Sequence, residues 1–155
     1  MQKIRKAKKE DAAFILQMIK ELAKFERAPE KVTLTLEQLT KDGFNAKPLF
    51  EALILENSNG QSIGFALYYN RYSTWRGKTL YLEDLYIIPS ERGSGLGIKV
   101  MEYLRREAID TGCARFEWQV LDWNSPAIEF YEKLGAELDG EWINCRIEGD
   151  ALLNG

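Results

Sequence analysis

The chain contains no histidine among its 155 residues. That absence excludes Ser-His-Asp and Cys-His nucleophile systems and every His-ligated metal site, because no other side chain is a neutral base near pH 7 without perturbation. Acid and base work is left to Glu, Asp, Tyr, Cys, Lys or ordered water. Cysteine is scarce as well. Cys113 and Cys145 are too few for a zinc set and too far apart for a CxxC redox pair; the spacing leaves a single disulfide open, and the favoured reading is two reduced thiols of a cytoplasmic protein. A basic excess is missing: Lys and Arg number 21 against 24 Asp and Glu, a formal charge of −3, which argues against a nucleic-acid partner. No run of apolar residues is long enough for a transmembrane helix. The N-terminal stretch, interrupted by Gln17, Lys20 and Glu21, lacks the apolar core of a signal peptide. With 45% hydrophobic and 29% charged residues, close to ordinary globular composition, residues 1–155 read as one soluble domain of common size.

Periodicity predicts the elements. Lys3 to Ala7 reads as a strand, and Asp11 opens a helix whose Phe14, Ile15, Met18, Ile19, Leu22 and Phe25 share one face before Pro29 stops it. The basic cluster Lys3, Arg5, Lys6, Lys8 and Lys9 reads as a solvated strand edge and helix entry. Thr35 and Gln38 have capping-box spacing for a short helix from Leu36, with Gly43 expected at C′. Phe50 to Glu56 and Ile63 to Tyr72 form an expected hairpin around Asn59-Gly60, and Thr79 to Ile88 is a third strand stopped by Pro89. After a loop from Ser90 to Gly97, a helix carries Val100, Met101, Leu104 and Ala108 and closes at Gly112. Arg115 to Leu121 is the next expected strand. Asn124, Ser125 and Pro126 open a helix bearing Ile128, Phe130, Tyr131 and Leu134, with Gly135 at C′, and a last strand is expected over Trp142 to Ile147. The order implies an α/β domain: one mixed, mostly antiparallel sheet with helices on both faces.

The segment Arg92-Gly93-Ser94-Gly95-Leu96-Gly97 lies between a strand and a helix, where successive N–H groups and the positive helix end can cradle phosphate oxygens. Glycines also serve ordinary turns, so context decides. A P-loop would continue Gly-Lys-Ser/Thr, whereas Gly97 is followed by Ile98, Lys99 and Val100. A dinucleotide fingerprint would be GxGxxG directly after its strand, and here the spacing is GxGxG with Pro89 to Arg92 intervening.

The pattern Arg92-x-x-Gly95-x-Gly97 resembles the acyl-CoA pyrophosphate loop of the GNAT acetyltransferase superfamily, and the element order resembles that fold throughout. More closely, Lys20 to Glu26, Gly64 to Tyr69, Tyr81 to Leu85, Arg92 to Gly97, and Trp123 to Pro126 with Phe130-Tyr131 resemble the diamine, or spermidine/spermine, N-acetyltransferases in matching order. The resemblance implies a GNAT acyltransferase fold with splayed central strands. It implies acetyl-CoA as co-substrate, with backbone groups of Leu85, Tyr86 and Ile87 on the pantetheine arm, Arg92 and the amides of Gly93, Ser94, Gly95, Leu96, Gly97 and Ile98 at the pyrophosphate, and Asn124, Ser125 and Pro126 beside the CoA arm. No metal is implied. A homodimer is.

Acetyl transfer to an amine requires a neutral amine, yet an alkylammonium of pKa about 10.4 leaves only about one molecule in a few thousand neutral at pH 7. In the resembled enzymes a Glu matching Glu83 takes that proton and a Tyr matching Tyr131 protonates the thiolate. From the residues alone, Tyr131 reads more readily as a half-buried aromatic beside Phe130, and adjacent Glu83 and Asp84 on a regular strand face opposite sides with nothing to choose between them. Phe25, Glu26, Trp75 and Glu83 match the acceptor-binding set, chemistry that suits a cationic amine. Ser73-Thr74-Trp75 departs from the Asp-Pro-Trp of the animal diamine enzymes and removes one acceptor carboxylate. The expected activity is acetylation of a small polyamine, diamine or lysine-like amine such as thialysine. The alternatives are another amine acceptor (aminoglycoside, peptide or protein lysine) and a noncatalytic CoA- or polyamine-binding domain.

Overall fold

The structure, a computed structural model, describes all residues from Met1 to Gly155. The chain falls into two compact units, Met1–Gln119 and Val120–Gly155.

The first unit is built on a five-stranded sheet of β1 (Lys3–Lys6), β2 (Glu51–Glu56), β3 (Ser62–Ser73), β4 (Gly77–Ile87) and β5 (Arg115–Trp118), in that spatial order. The first three pairings are antiparallel and β4 pairs β5 in parallel. The Asn57 side chain shapes the β2–β3 turn by accepting from the backbone N–H groups of Asn59 (2.9 Å) and Gln61 (3.0 Å). Ser73 does the same for the β3–β4 turn, where its Oγ accepts from Trp75 N and Arg76 N at 3.2 and 3.1 Å. Such short polar side chains offer the backbone local partners where the ladder ends.

Three helices cover this sheet: α1 (Ala12–Phe25), α2 (Leu36–Gly43) and α3 (Leu96–Asp110). Ile15, Leu16 and Met18 of α1 and Leu39 of α2 pack on Ala52, Ile54, Phe65, Leu67 and Tyr86 of the sheet. On the other face lies α3, which buries Val100, Leu104 and Ala108; Tyr68 points to that side, near Tyr103 and Glu107. Each fully buried aliphatic side chain contributes about 1.5–3 kcal/mol to such a core. Thr35 caps α2 as the sequence predicts, its side chain accepting from Gln38 N at 3.1 Å. Gly43, expected at C′, is instead the last helical residue. A Cβ there would crowd the Phe50 ring.

In the second unit Asn124 caps α4 (Ser125–Lys133) by accepting from Ala127 N at 3.4 Å, and Pro126 occupies its first turn. Gly135 follows at φ +89, and the N–H of Ala136 donates to Tyr131 O at 3.1 Å, a left-handed helix ending. A short α5 spans Asp150–Asn154. The strand expected over 142–147 does not form. A strand needs a neighbour to receive its backbone hydrogen bonds, and this unit contains no other strand.

Candidate active site

Only Thr79–Leu82 of β4 pairs with β5. From Asp84 to Ile87, therefore, β4 is paired on the β3 side alone within this unit and presents an open edge on the other. Pro89–Glu91 then turns the chain toward α3. Gly93 (φ +85) and Gly95 (φ +83) are both left-handed, and a Cβ at either would meet nothing within 4 Å. Backbone conformation, not crowding, requires glycine there, and the space above the turn is open to a ligand. Gly95 is the N-cap of the 15-residue α3, anchored by Leu96, which is 1% exposed. A free helix N-terminus behind two such turns fits a pyrophosphate.

Arg92 ties this loop to the strand. Its Nε donates to Ile87 O at 2.7 Å, and its guanidinium carbon lies 5.2 Å from the Tyr86 ring and 5.9 Å from the Phe25 ring. Ser94 Oγ accepts from Gln2 Nε2 at 2.7 Å. Gly97 and Ile98 lie in the first turn of α3, and Ile98 is half-exposed.

The sheet register changes at the centre of β4. Tyr68 pairs with Leu82 and the next pair toward Ile87 is Leu67 with Asp84, so Glu83 has no partner across the ladder. This is a β-bulge, which bends a strand and re-aims its side chains. The expectation that Glu83 and Asp84 face opposite sides is thereby corrected. Glu83 Oε1 accepts from Tyr69 Oη at 2.8 Å, and Tyr69 packs against the α1–α2 cluster. Asp84 precedes by two residues Tyr86, a member of the same cluster.

Three carboxylates consequently share one neighbourhood. Burial raises the Asp84 carboxyl to about 7, with further upward pushes from Glu83 and Glu26. Glu26, just past the end of α1, is raised by burial and then by Glu83. Burial, followed by the hydrogen bond to Glu83, holds the Tyr69 phenol well above its ordinary range, so it remains a donor. Mutual repulsion among carboxyls is relieved by a bound cation, and one Glu83 oxygen is held by the Tyr69 hydroxyl.

The structure thus gathers Glu26 and Glu83, and places Phe25 beside Arg92 and Tyr86. It does not bring Trp75 to them: Trp75 is 78% exposed in the β3–β4 turn, and Gly77 to Glu83 is six residues of strand, about 20 Å. Asn124, Ser125, Pro126 and Tyr131 belong to the second unit, where Tyr131 packs edge-on against Phe130 at 5.4 Å between centroids. Tyr69 was not legible as a site residue, and the sequence left Glu83 and Asp84 undecided, because only the bulge sets Tyr69 against Glu83. No group of three or more His, Cys, Asp or Glu side chains is arranged to hold a metal ion.

A strand with one open edge that runs into a glycine turn and a helix N-terminus matches what the sequence resemblance implies for an acyl-CoA-dependent acyltransferase. Comparison with known proteins narrows this. Residues 15–136 match the model of the acetyltransferase (GNAT) family. The chain is 40% identical over 161 residues to the thialysine N-epsilon-acetyltransferase of Mus musculus, covering 97% of this chain and 94% of that protein. It is 38% identical over 160 residues to the Homo sapiens spermidine/spermine N(1)-acetyltransferase-like protein 1, covering 97% of this chain and 23% of that one. Among solved structures, a predicted acetyltransferase with acetyl-CoA from Clostridium acetobutylicum superposes with a TM-score of 0.76 at 22% identity, over 95% of this chain and 97% of that one. The protein belongs to the GNAT acetyltransferase family and is an acetyltransferase.

Proposed function

We propose that the protein transfers the acetyl group of acetyl-CoA directly to a primary amine of a small lysine-like, diamine or polyamine acceptor. The observation that carries this reading is Glu83, held by the Tyr69 hydroxyl at 2.8 Å, with Glu26 and Asp84 close enough for their charges to act on it and on each other, an acidic neighbourhood suited to an ammonium group. Relatives named for thialysine and for spermidine/spermine support the same class of acceptor. Acetyl-CoA, when bound, supplies an acetyl group already activated as a thioester, so the protein has only to position groups and move protons.

On the donor side, the open edge at Leu85, Tyr86 and Ile87 is assigned to the pantetheine arm, as an added strand would pair. The amides from Gly93 to Ile98, with Arg92, are assigned to the pyrophosphate, and Asn124, Ser125 and Pro126 to the border of the CoA arm. On the acceptor side, Glu83 takes the ammonium proton, directly or through water, and Phe25 and Glu26 hold the amine-bearing end. Trp75, far along β4, serves only an acceptor of polyamine length. Tyr131 gives its proton to the departing thiolate, a role open to a phenolic O–H. Residues 1–155 act in this reading as one acetyltransferase domain, assembled as a homodimer. The free thiols of Cys113 and Cys145 support a reducing, cytoplasmic setting.

The test is an acetyl-CoA turnover screen with thialysine, lysine, putrescine, spermidine and an aminoglycoside, together with a lysine-containing peptide. Turnover of one or more of the first four is expected. Transfer confined to the peptide or the aminoglycoside would overturn the acceptor class, and CoA binding without any transfer would overturn the assignment of the acid and base.

A further inference from the structure

We propose that Arg71 reads a carboxylate at the far end of the acceptor, so that the enzyme selects amino acids bearing a side-chain amine over diamines of the same length. The inference rests on the proposed acetylation of a small amine and names the feature that ranks such amines.

Tyr69 and Arg71 are two residues apart on β3, as Tyr81 and Glu83 are on β4, and Tyr69 pairs directly with Tyr81. Residues spaced by two share a face of the sheet. Their contacts form a continuous row: Arg71 Cζ lies 4.7 Å from the Tyr81 ring centroid, the Tyr81 and Tyr69 rings are 5.6 Å apart, and Tyr69 Oη donates to Glu83. One end of the row is cationic and the other anionic, with two phenol rings between. The register level of Arg71 is Thr79, four residues or about 13 Å from Glu83 along β4. The Arg71 side chain shortens that span by reaching back over Tyr81. An extended lysine-like acceptor spans six bonds between its side-chain nitrogen and its carboxyl carbon, about 7 Å.

The guanidinium is suited to the task. Stacking on Tyr81 occupies its face and leaves the in-plane N–H donors available, the geometry in which arginine recognises carboxylates bidentately. Arg71 is exposed and lies within ion-pair distance of no Asp or Glu side chain, so no internal carboxylate competes for those donors. Past Arg71 on the same face, Ser73 is uncharged and its Oγ is committed to two backbone N–H groups of the turn. A diamine would set its second ammonium against Arg71 with no carboxylate there to offset the repulsion. An amino acid would set its carboxylate there.

The experiment measures kcat/KM with acetyl-CoA for thialysine against its decarboxylated counterpart, 2-(2-aminoethylthio)ethylamine, and for lysine against cadaverine, in the wild type, Arg71→Gln and Arg71→Lys. The wild type is expected to favour each amino acid over its diamine. Arg71→Gln is expected to raise KM for the amino acids about 10- to 100-fold, the scale of a lost hydrogen-bonded charge pair, and to collapse or reverse the ratio within each pair. Arg71→Lys is expected to restore part of that ratio. A wild-type preference for the diamines, or an Arg71→Gln ratio equal to the wild-type ratio, overturns the role of Arg71 and leaves small-amine acetylation standing. A parallel fall for both members of a pair, with a lowered thermal midpoint, assigns Arg71 a structural role and overturns the proposal. Turnover of neither pair overturns this inference together with the reading beneath it.

Discussion

Glu83 owes its orientation to the bulge that removes it from the β3–β4 ladder and to the Tyr69 hydroxyl that holds one of its oxygens. The two effects separate in experiment. Glu83→Gln keeps the shape and removes the proposed proton acceptor, so kcat/KM is expected to fall by 100-fold or more, within the about 10²- to 10⁴-fold range of general base catalysis. Tyr69→Phe keeps the base and removes the bond that aims it; kcat is expected to fall about 10-fold with KM little changed. Steady-state kinetics with a small amine checks both, and a Tyr69→Phe enzyme with wild-type kcat would remove Tyr69 from the positioning of Glu83. Asp84 calls for a measurement of stability. Folding raises its carboxyl to about 7, against about 3.9 in an unfolded chain. Between those values the folded chain keeps a proton that the unfolded chain has released, so stability is greatest below about pH 4 and declines as pH rises through 7. Asp84→Asn is expected to abolish this component. Thermal midpoints recorded from pH 5 to 8 should fall more steeply for the wild type than for the variant, and parallel curves would contradict the raised value.

At the scale of elements, β4 joins the two halves of the chemistry: its bulge presents the carboxylates, and its open edge leads to the glycine turn. Gly64 on β3 maintains that strand's position. A Cβ there would lie 2.4 Å from Tyr86 O and 3.1 Å from Ile87 Cα, pushing β4 away just where its edge is open. Gly64→Ala is expected to cost about 1–3 kcal/mol, as overpacking does, and to raise KM for acetyl-CoA, through displacement of residues 85–87, more than KM for the amine. Thermal denaturation and initial rates would show both, and an unchanged acetyl-CoA KM would separate Gly64 from the donor site. Much of this framework was legible in the sequence. Asn57 to Gly60, Thr35, Asn124 and Gly135 are local signals whose partners lie within a few residues, and each marked its turn or helix end correctly. The Glu83 bulge was not legible, because an inserted residue leaves the alternation on either side intact and is revealed only by the pairing of two strands. Tyr69 went unread, and Glu83 and Asp84 stayed undecided, for that reason. Trp75 was placed in the acceptor set by resemblance alone, and the length of β4 sets it apart.

At the scale of the whole molecule, residues 142–153 have the composition of a buried segment without burial. Trp142 is 71% exposed, Ile143 86%, Ile147 68% and Leu153 79%. Scattered exposed hydrophobics need no explanation, but several within a dozen residues make this segment the one to test as an association surface. The same stretch carries the strand pattern over 142–147 that found no neighbour in its own unit. A second copy of the chain supplies more of the same surface, and a two-fold contact is the commonest way such a surface is covered. Light scattering at micromolar concentration is therefore expected to return twice the chain mass of 17.9 kDa. Replacing Ile143 and Ile147 together by Lys places two charges on that surface and is expected to shift the population toward monomer, because a like-charged pair meets its own copy across a two-fold interface. A wild-type monomer at that concentration would dispose of the homodimer. A dimer unaffected by the double substitution would place its contact elsewhere on the chain, and the apolar C-terminal segment would then require a different partner.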